Sequence, residues 1–229
     1  MYNFKRICDF DCISLEVDPT KPCIVILHGY GADFQDLAPL AQYMKSSQTF
    51  NWIFPNAPLE VPISPFMSGR AWFPIDMEGM QQAIATNSFK EFFTNRMPDD
   101  LLKNSEGIKN LVDELAQTYP EIYLGGFSQG SMVSMHAGLV DQAKISKLFL
   151  LSGAPIALKR FPETLQKNQT SIPVFQSHGK EDPVLPYPNA EILKDHLTHL
   201  NLNIEFHPFH GQHEIPMDIL TKLGNFFTT

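Results

Sequence analysis

Short apolar runs alternate with segments of helical spacing along most of this chain. The apolar runs cover residues 22–29, 51–58, 121–126, 146–153, 171–179 and 203–209. Segments with apolar residues three to four positions apart lie near 33–46, 99–118, 129–140, 187–200 and 214–227. Because parallel strands need a crossover between them, this alternation predicts the α/β class, with a mostly parallel sheet and helices on both of its faces.

We expect a single domain over residues 1–229, because no linker, repeat or low-complexity tract divides the chain. The stretch at about 60–98 fits neither pattern but is rich in Phe, Met and Trp. It is too long for an ordinary loop, so we expect an irregular, flap-like apolar segment there.

The net charge and the cysteine count exclude further classes of protein. The formal net charge is -8 and no basic block is present, which disfavours nucleic acid and strong binding to anionic membranes. The N-terminal residues lack the apolar core of a signal peptide, and we expect a cytoplasmic protein. The three cysteines, Cys8, Cys12 and Cys23, are odd in number, which favours free thiols in the core over disulfides.

Gly126-Phe127-Ser128-Gln129-Gly130 fits the pattern G-x-S-x-G, the nucleophile elbow. The pattern needs a strand before it and a helix after it, so that a sharp turn presents the serine hydroxyl. Both flanks are present, since EIYLGG precedes the motif and QGSMVSMHAGLV follows it. Ser128 is therefore a candidate nucleophile.

A serine hydroxyl needs a general base, and the base needs a carboxylate to orient it. In α/β-hydrolases the acid and then the histidine follow the serine. Asp182, directly before Pro183, is our first choice for the acid, with Glu181 as its competitor.

Three histidines near the C-terminal end are candidates for the base. His213 comes just before the last helical segment, whereas His207 lies inside a strand pattern and His210 precedes a glycine. We expect His213 to be the base. Residues 213–214 begin like the zinc motif H-E-x-x-H, but Met217 stands where the second histidine is needed, so we expect no metal site.

The oxyanion of an acyl-transfer reaction needs two hydrogen-bond donors. The backbone N–H of Gln129 is one candidate. The other comes from the loop at residues 27–37, where Gly29 and Gly31 let the N–H of Tyr30 or a neighbour point at the site.

Seven motifs in order, LHGYGAD, PNAP, SGRAWF, GGFSQG, LLSG, HGKEDPVLP and HE, resemble the carboxylesterase and acyl-protein thioesterase (phospholipase/carboxylesterase) family. The resemblance covers nearly the whole chain and implies an α/β-hydrolase fold. It implies Ser128, Asp182 and His213 as the triad, and the N–H groups of Tyr30 and Gln129 as the oxyanion hole. Two departures are Ser131, where the family usually repeats glycine, and the stretch from Trp72 to Met97, where members vary.

The resemblance also implies a cytosolic, cofactor-free enzyme that cleaves carboxylic esters, lysophospholipids or S-acylated proteins, at most transient membrane contact, and a homodimer in many members. An acyl pocket needs an apolar lining. We expect Trp72 in this pocket, followed by Phe66, Met67 and Leu185. The alternatives are a lactone hydrolase or peptidase of the same fold, or a catalytically silent hydrolase-like binding protein.

Overall fold

The computed structural model describes residues 2–44, 46–86, 88–162, 165 and 167–229. The strands in this part of the chain are β1 (Asn3–Ile7), β2 (Phe10–Leu15), β3 (Cys23–Leu27), β4 (Asn51–Pro55), β5 (Leu59–Ser64), β6 (Met67–Ala71), β7 (Ile122–Phe127), β8 (Lys147–Leu151), β9 (Val174–Gly179) and β10 (Ile204–Phe209). Strands β5 and β6 form a separate hairpin, and the others form one sheet in the order β1-β2-β4-β3-β7-β8-β9-β10.

The sheet is parallel from β4 to β10 and antiparallel at its other edge. Strands β1 and β2 pair antiparallel, and β2 pairs antiparallel with β4. The six apolar runs of the sequence correspond to β3, β4, β7, β8, β9 and β10, and the predicted mostly parallel sheet is confirmed. The sequence patterns did not predict β1 and β2.

The helices are α1 (Leu40–Tyr43), α2 (Met77–Ala85), α3 (Phe89–Asn95), α4 (Asp99–Leu115), α5 (Gln129–Met135), α6 (Lys167–Thr170), α7 (Pro188–His199) and α8 (Met217–Thr228). A π-helical turn at His136–Val140 continues α5, and a 3₁₀ turn covers Leu158–Arg160. In the helix predicted near 33–46, only α1 is helical among the residues that the structure describes. Within the described residues, no helix is long and apolar enough to cross a membrane.

Helices cover both faces of the sheet, and the side chains of the buried strands point alternately to one face and the other. In β3, Val25 and Leu27 pack in the same core as α4 and α5, whereas Ile24 and Ile26 pack in the core that includes α8. All four side chains are buried, because successive residues of a strand point to opposite faces and both faces are covered.

Two expectations are corrected. The stretch at 60–98 is largely regular: it contains the hairpin β5–β6, helices α2 and α3, and the start of the loop to α4. Short helices carry many of its large side chains, and helices this short show too few turns for their periodicity to be seen in the sequence. Cys12 and Cys23 are buried free thiols, but Cys8 is exposed, because it sits in the turn between β1 and β2.

Candidate active site

Ser128 occupies the sharp turn between β7 and α5. Its backbone has φ 55° and ψ −117°, a conformation that is unfavourable for a residue with a Cβ and is maintained by the surrounding structure. The Ser128 N–H donates to the carbonyl oxygen of Leu151 on the neighbouring strand at 2.8 Å. This strand, strained turn and helix are what the G-x-S-x-G motif requires.

The glycines of the motif permit close packing behind the serine. A Cβ at Gly126 would overlap the backbone of Gly130, and a Cβ at Gly130 would overlap the carbonyl group of Leu27 at the end of β3. Ser131, the departure from the family pattern, is buried, and its hydroxyl oxygen lies only 2.3 Å from the position that a Cβ on Gly153 would take. The chain therefore accommodates the extra hydroxyl opposite a glycine.

Asp182 and His213 come together because β9 and β10 are adjacent and parallel. Gly179 and Phe209, the last residues of these strands, are paired, so the loops that follow leave the same edge of the sheet. His213 Nδ1 lies 2.6 Å from Asp182 Oδ2. The other ring nitrogen of His213 is therefore left to face a reacting group.

The Asp182 carboxylate is buried and fully engaged. Its Oδ1 accepts the N–H groups of Val184 and Leu185, each at 2.8 Å. Burial by itself raises the pKa of Asp182, but hydrogen bonds from His178, His213 and the Leu185 N–H outweigh it and hold the pKa well below its ordinary value. Asp182 is thus ionised at neutral pH and fixes the orientation of the imidazole.

His178 is a member of this cluster that the sequence analysis did not assign, although it stands in the motif HGKEDPVLP. It is fully buried, and its Nε2 lies 2.7 Å from the Leu185 carbonyl oxygen and 3.3 Å from Asp182 Oδ2. Both neighbours are acceptors, so Nε2 carries the hydrogen. The ring links the carboxylate to the loop that follows it. A histidine at the end of a buried strand, just before the acid, was the available signal.

The competing residues lie apart from this cluster. Glu181 is exposed and bonds to the Gly211 N–H at 2.6 Å and to His210 Nδ1 at 3.2 Å. The His207 ring stacks on Phe175, with ring centroids 4.6 Å apart. Of the three candidate histidines near the C-terminal end, His213 is the one with a contact to the buried Asp182 carboxylate.

The backbone N–H groups of Tyr30 and Gln129 are the expected oxyanion donors. Both residues line the same cavity as Ser128, and within the described residues neither N–H donates to another group of the protein. Gln129 is the first residue of α5, where N–H groups have no partner inside the helix. The two amides are free to bind a negative oxygen.

The loop that carries Tyr30 is held from three sides. The His28 ring bonds to the Gly29 carbonyl oxygen through Nδ1 and accepts the Ala57 N–H at Nε2. The Trp72 indole N–H donates to the His28 carbonyl oxygen at 2.9 Å. From the hairpin, the Arg70 carbonyl oxygen accepts the N–H of Gly31 at 2.8 Å, while the Arg70 N–H donates to the Ala32 carbonyl oxygen.

The side chain of Gln129 connects this loop support to the nucleophile turn. Its Oε1 accepts a hydrogen bond from the backbone N–H of Trp72 at 2.8 Å, and its Nε2 donates one to the carbonyl oxygen of Phe73 at 2.7 Å. Gln129 is buried. One residue therefore offers a backbone donor to the site and fixes the backbone that follows the hairpin.

A cavity of about 380 Å³ opens at Ser128 and His213. Beyond them it is lined mostly by apolar side chains, which include Phe73, Met80, Phe92, Phe93, Met132 and Leu185. The cavity can take an alkyl group next to the serine and histidine.

Of the four residues expected in the acyl pocket, the structure places only Leu185 along this cavity. Trp72 is fully buried, and its indole is used to hold the His28 carbonyl group. Phe66 and Met67 lie at the tip of the hairpin, 99% and 59% exposed. Their apolar character suggested a pocket, but neither residue lines the cavity. Helices α2 and α3 supply much of the wall instead.

This arrangement allows acyl transfer through a serine. An imidazole oriented by a carboxylate can remove a hydroxyl proton, and two free amides can stabilise the oxyanion that forms. The fold and this geometry define the class, a serine hydrolase of the α/β-hydrolase fold. Comparison with known proteins specifies the family. The model of the family described as "Phospholipase/Carboxylesterase" matches residues 10–229, and the chain belongs to that family.

Individual relatives agree with this assignment. The chain is 27% identical to acyl-protein thioesterase 1 of Debaryomyces hansenii, over 93% of each chain. It is 28% identical to acyl-protein thioesterase 1 of Schizosaccharomyces pombe, over 90% of this chain and 89% of that one. The crystal structure of esterase PE8 superimposes with a TM-score of 0.71 at 27% identity, covering 91% of this chain and 92% of the other. The predicted family, fold and serine esterase class are confirmed.

Proposed function

We propose that Ser128, Asp182 and His213 are the catalytic triad and that the enzyme cleaves carboxylic esters and thioesters through an acyl-enzyme. The observation that carries the proposal is the 2.6 Å contact between His213 and the buried Asp182, with Ser128 and His213 facing one apolar cavity. A silent binding protein would not need this set of groups intact.

In the first half of the reaction, Ser128 Oγ attacks the carbonyl carbon while His213 Nε2 accepts its proton. The carbonyl oxygen becomes an oxyanion, which accepts hydrogen bonds from the N–H groups of Tyr30 and Gln129. Collapse of the intermediate breaks the C–O or C–S bond. His213 gives the proton to the leaving alcohol or thiol, and the acyl group remains on Ser128.

In the second half, water attacks the acyl-enzyme. His213 accepts a proton from the water, the same amides hold the second oxyanion, and the bond to Ser128 Oγ breaks. His213 returns the proton to Ser128, and the carboxylic acid leaves. Asp182 stays ionised throughout, consistent with its lowered pKa.

The cavity favours an acyl group with an alkyl chain, because its lining beyond the catalytic groups is mostly apolar. The relatives named acyl-protein thioesterase support S-acylated proteins as the physiological substrate class. An S-acylated peptide would place its alkyl chain in the cavity and its cysteine sulfur at the leaving-group position. A cytoplasmic location, and the homodimer that the family resemblance implies for many members, belong to the same proposal.

The test uses a fluorophosphonate probe together with a substrate panel. The probe is expected to label the parent protein and not Ser128→Ala, while Ser134→Ala, in the helix α5 that follows Ser128, keeps the label. The panel compares an S-acylated peptide, a lysophospholipid and a peptide amide. Turnover of the thioester is expected, and turnover of the amide alone would support a peptidase instead. Labelling of Ser128→Ala would show that the nucleophile is another residue.

A further inference from the structure

A shallow groove lies next to the active-site cavity. It is lined by Pro74, Ile75, Asp76, Arg96, Met97 and Pro98. Within the described part of the chain, each of these residues except Met97 also lines the active-site cavity. The groove and the cavity therefore share a wall, and none of the catalytic candidates lines the groove.

An ion pair stands in that shared wall. Arg96 Nη2 contacts Asp76 Oδ2 and joins the residue before α2 to the residue after α3. Among the described residues of α2, α3 and their caps that line the cavity, these two are the only charged ones. The others are apolar: Met77, Met80, Phe92 and Phe93.

Each side chain of the pair has a second contact that holds it in place. Asp76 Oδ1 accepts the Gly79 N–H at 2.9 Å and so caps α2. The Arg96 guanidinium carbon lies 4.2 Å above the centre of the Phe92 ring. The side chain of Arg96 is 39% exposed and that of Asp76 is 45% exposed. Ion pairs this accessible to water contribute little to stability. The pair is therefore not needed to keep the fold stable, and its side chains can be replaced without unfolding the helices.

We propose that the Asp76–Arg96 ion pair sets the acyl-chain length that this enzyme prefers. The inference rests on the proposed function. An alkyl chain attached at Ser128 extends along the apolar wall, and each methylene that leaves water gains about fourfold in kcat/KM. The gain stops where the chain meets the charged pair, because a methylene does not replace the hydrogen bonds of a guanidinium or a carboxylate. A longer chain has to part the pair and continue into the groove.

The experiment measures kcat/KM for p-nitrophenyl butyrate, hexanoate, octanoate, decanoate and dodecanoate. In the parent enzyme, kcat/KM rises with length and then levels off. In Arg96→Met an apolar side chain replaces the guanidinium at the end of the cavity, so kcat/KM is expected to continue to rise with chain length. The ratio of the decanoate value to the butyrate value is expected to increase by at least about fourfold, the worth of one more methylene. Asp76→Asn keeps an oxygen for the Gly79 N–H and is expected to shift the ratio in the same direction.

Arg96→Lys keeps a cation opposite Asp76 and is expected to retain the parent length profile. Lys90→Met removes a cation from an exposed position of α3 and is the matched charge control. Thermal unfolding of each variant reports whether the helix pair is intact. An unchanged ratio in a folded Arg96→Met would overturn this proposal while leaving the esterase assignment in place. An inactive parent at every chain length would instead contradict the proposed function.

Discussion

The indole N–H of Trp72 donates a hydrogen bond to the carbonyl oxygen of His28 at 2.9 Å, and His28 begins the loop that carries Tyr30. Trp72→Phe keeps an aromatic ring but removes the N–H, which leaves the buried His28 carbonyl oxygen without this hydrogen bond. A loss of about 1.4 kcal/mol is then expected, which is about tenfold in kcat/KM. Because every substrate uses the same oxyanion site, kcat/KM should fall by the same factor for p-nitrophenyl acetate and for p-nitrophenyl octanoate. A fall in kcat/KM for octanoate alone would show that Trp72 contacts the acyl chain after all.

Gly69 supports the same loop by having no side chain. A Cβ at this position would overlap the backbone of Gly31, next to Tyr30. Gly69→Ala is therefore expected to displace the Tyr30 N–H and lower kcat by about 10²–10³, the usual effect of losing one oxyanion donor. Ser68→Ala, on the exposed neighbour, is the control and should change kcat little. Parent-like kcat in Gly69→Ala would mean that another group supplies the donor.

The choice of Asp182 over Glu181 is tested by paired amide substitutions. Asp182→Asn presents an N–H or a weaker acceptor to His213 and favours the wrong tautomer, so kcat/KM is expected to fall by about 10⁴. Glu181→Gln affects an exposed carboxylate that bonds to Gly211 and His210, and a change of less than about threefold, under 1 kcal/mol of barrier, is expected. The reverse order of effects would make Glu181 the acid.

His178 shares Asp182 Oδ2 with His213, so its removal should loosen the carboxylate that orients the catalytic imidazole. In His178→Leu the carboxylate loses one hydrogen-bond donor, and kcat/KM is expected to fall by about tenfold, the worth of one hydrogen bond to a charged group. His178→Gln can still donate to Asp182 and should restore most of the parent kcat/KM. An equal loss in both variants, with both proteins folded, would mean that the hydrogen bond to Asp182 is not what matters.

His136 makes stability depend on pH. Burial, together with the nearby charge of Arg160, lowers the pKa of His136 from 6.5 to about 4, although its hydrogen bond to Ile156 opposes the shift. The unfolded chain therefore takes up a proton at this residue near pH 6.5, whereas the folded protein does so only near pH 4. The free energy of unfolding should fall by up to about 3 kcal/mol as the pH drops across this interval.

Urea unfolding at a series of pH values measures this effect. His136→Gln removes the titrating group and should flatten the dependence between those two pH values. His199→Gln, at an exposed position of α7, is the matched control and should retain it. The hypothesis fails if the parent and His136→Gln lose stability in parallel as the pH falls.

The sequence by itself determined the parallel part of the sheet and the candidate triad. Buried strands such as β3 are continuous apolar runs, because helices cover both faces, and this pattern is visible without coordinates. Ser128 is identified by glycines that its turn requires, and Asp182 and His213 by their order along the chain. The apolar runs and the glycines are local signals, and the order of the residues is a property of the chain itself, so both can be read without coordinates.

Only the tertiary structure decided what lines the cavity and what holds the catalytic groups. The apolar character of Phe66 and Trp72 fits a pocket, a core or an exposed hairpin equally well, and the fold places one at a hairpin tip and the other in the core. The contacts of His178 with Leu185 and of Arg96 with Asp76 depend on how loops and short helices pack against each other. A residue's hydrophobicity or charge states its preference for burial or pairing, but the partner is selected by the packing of segments that are distant in sequence.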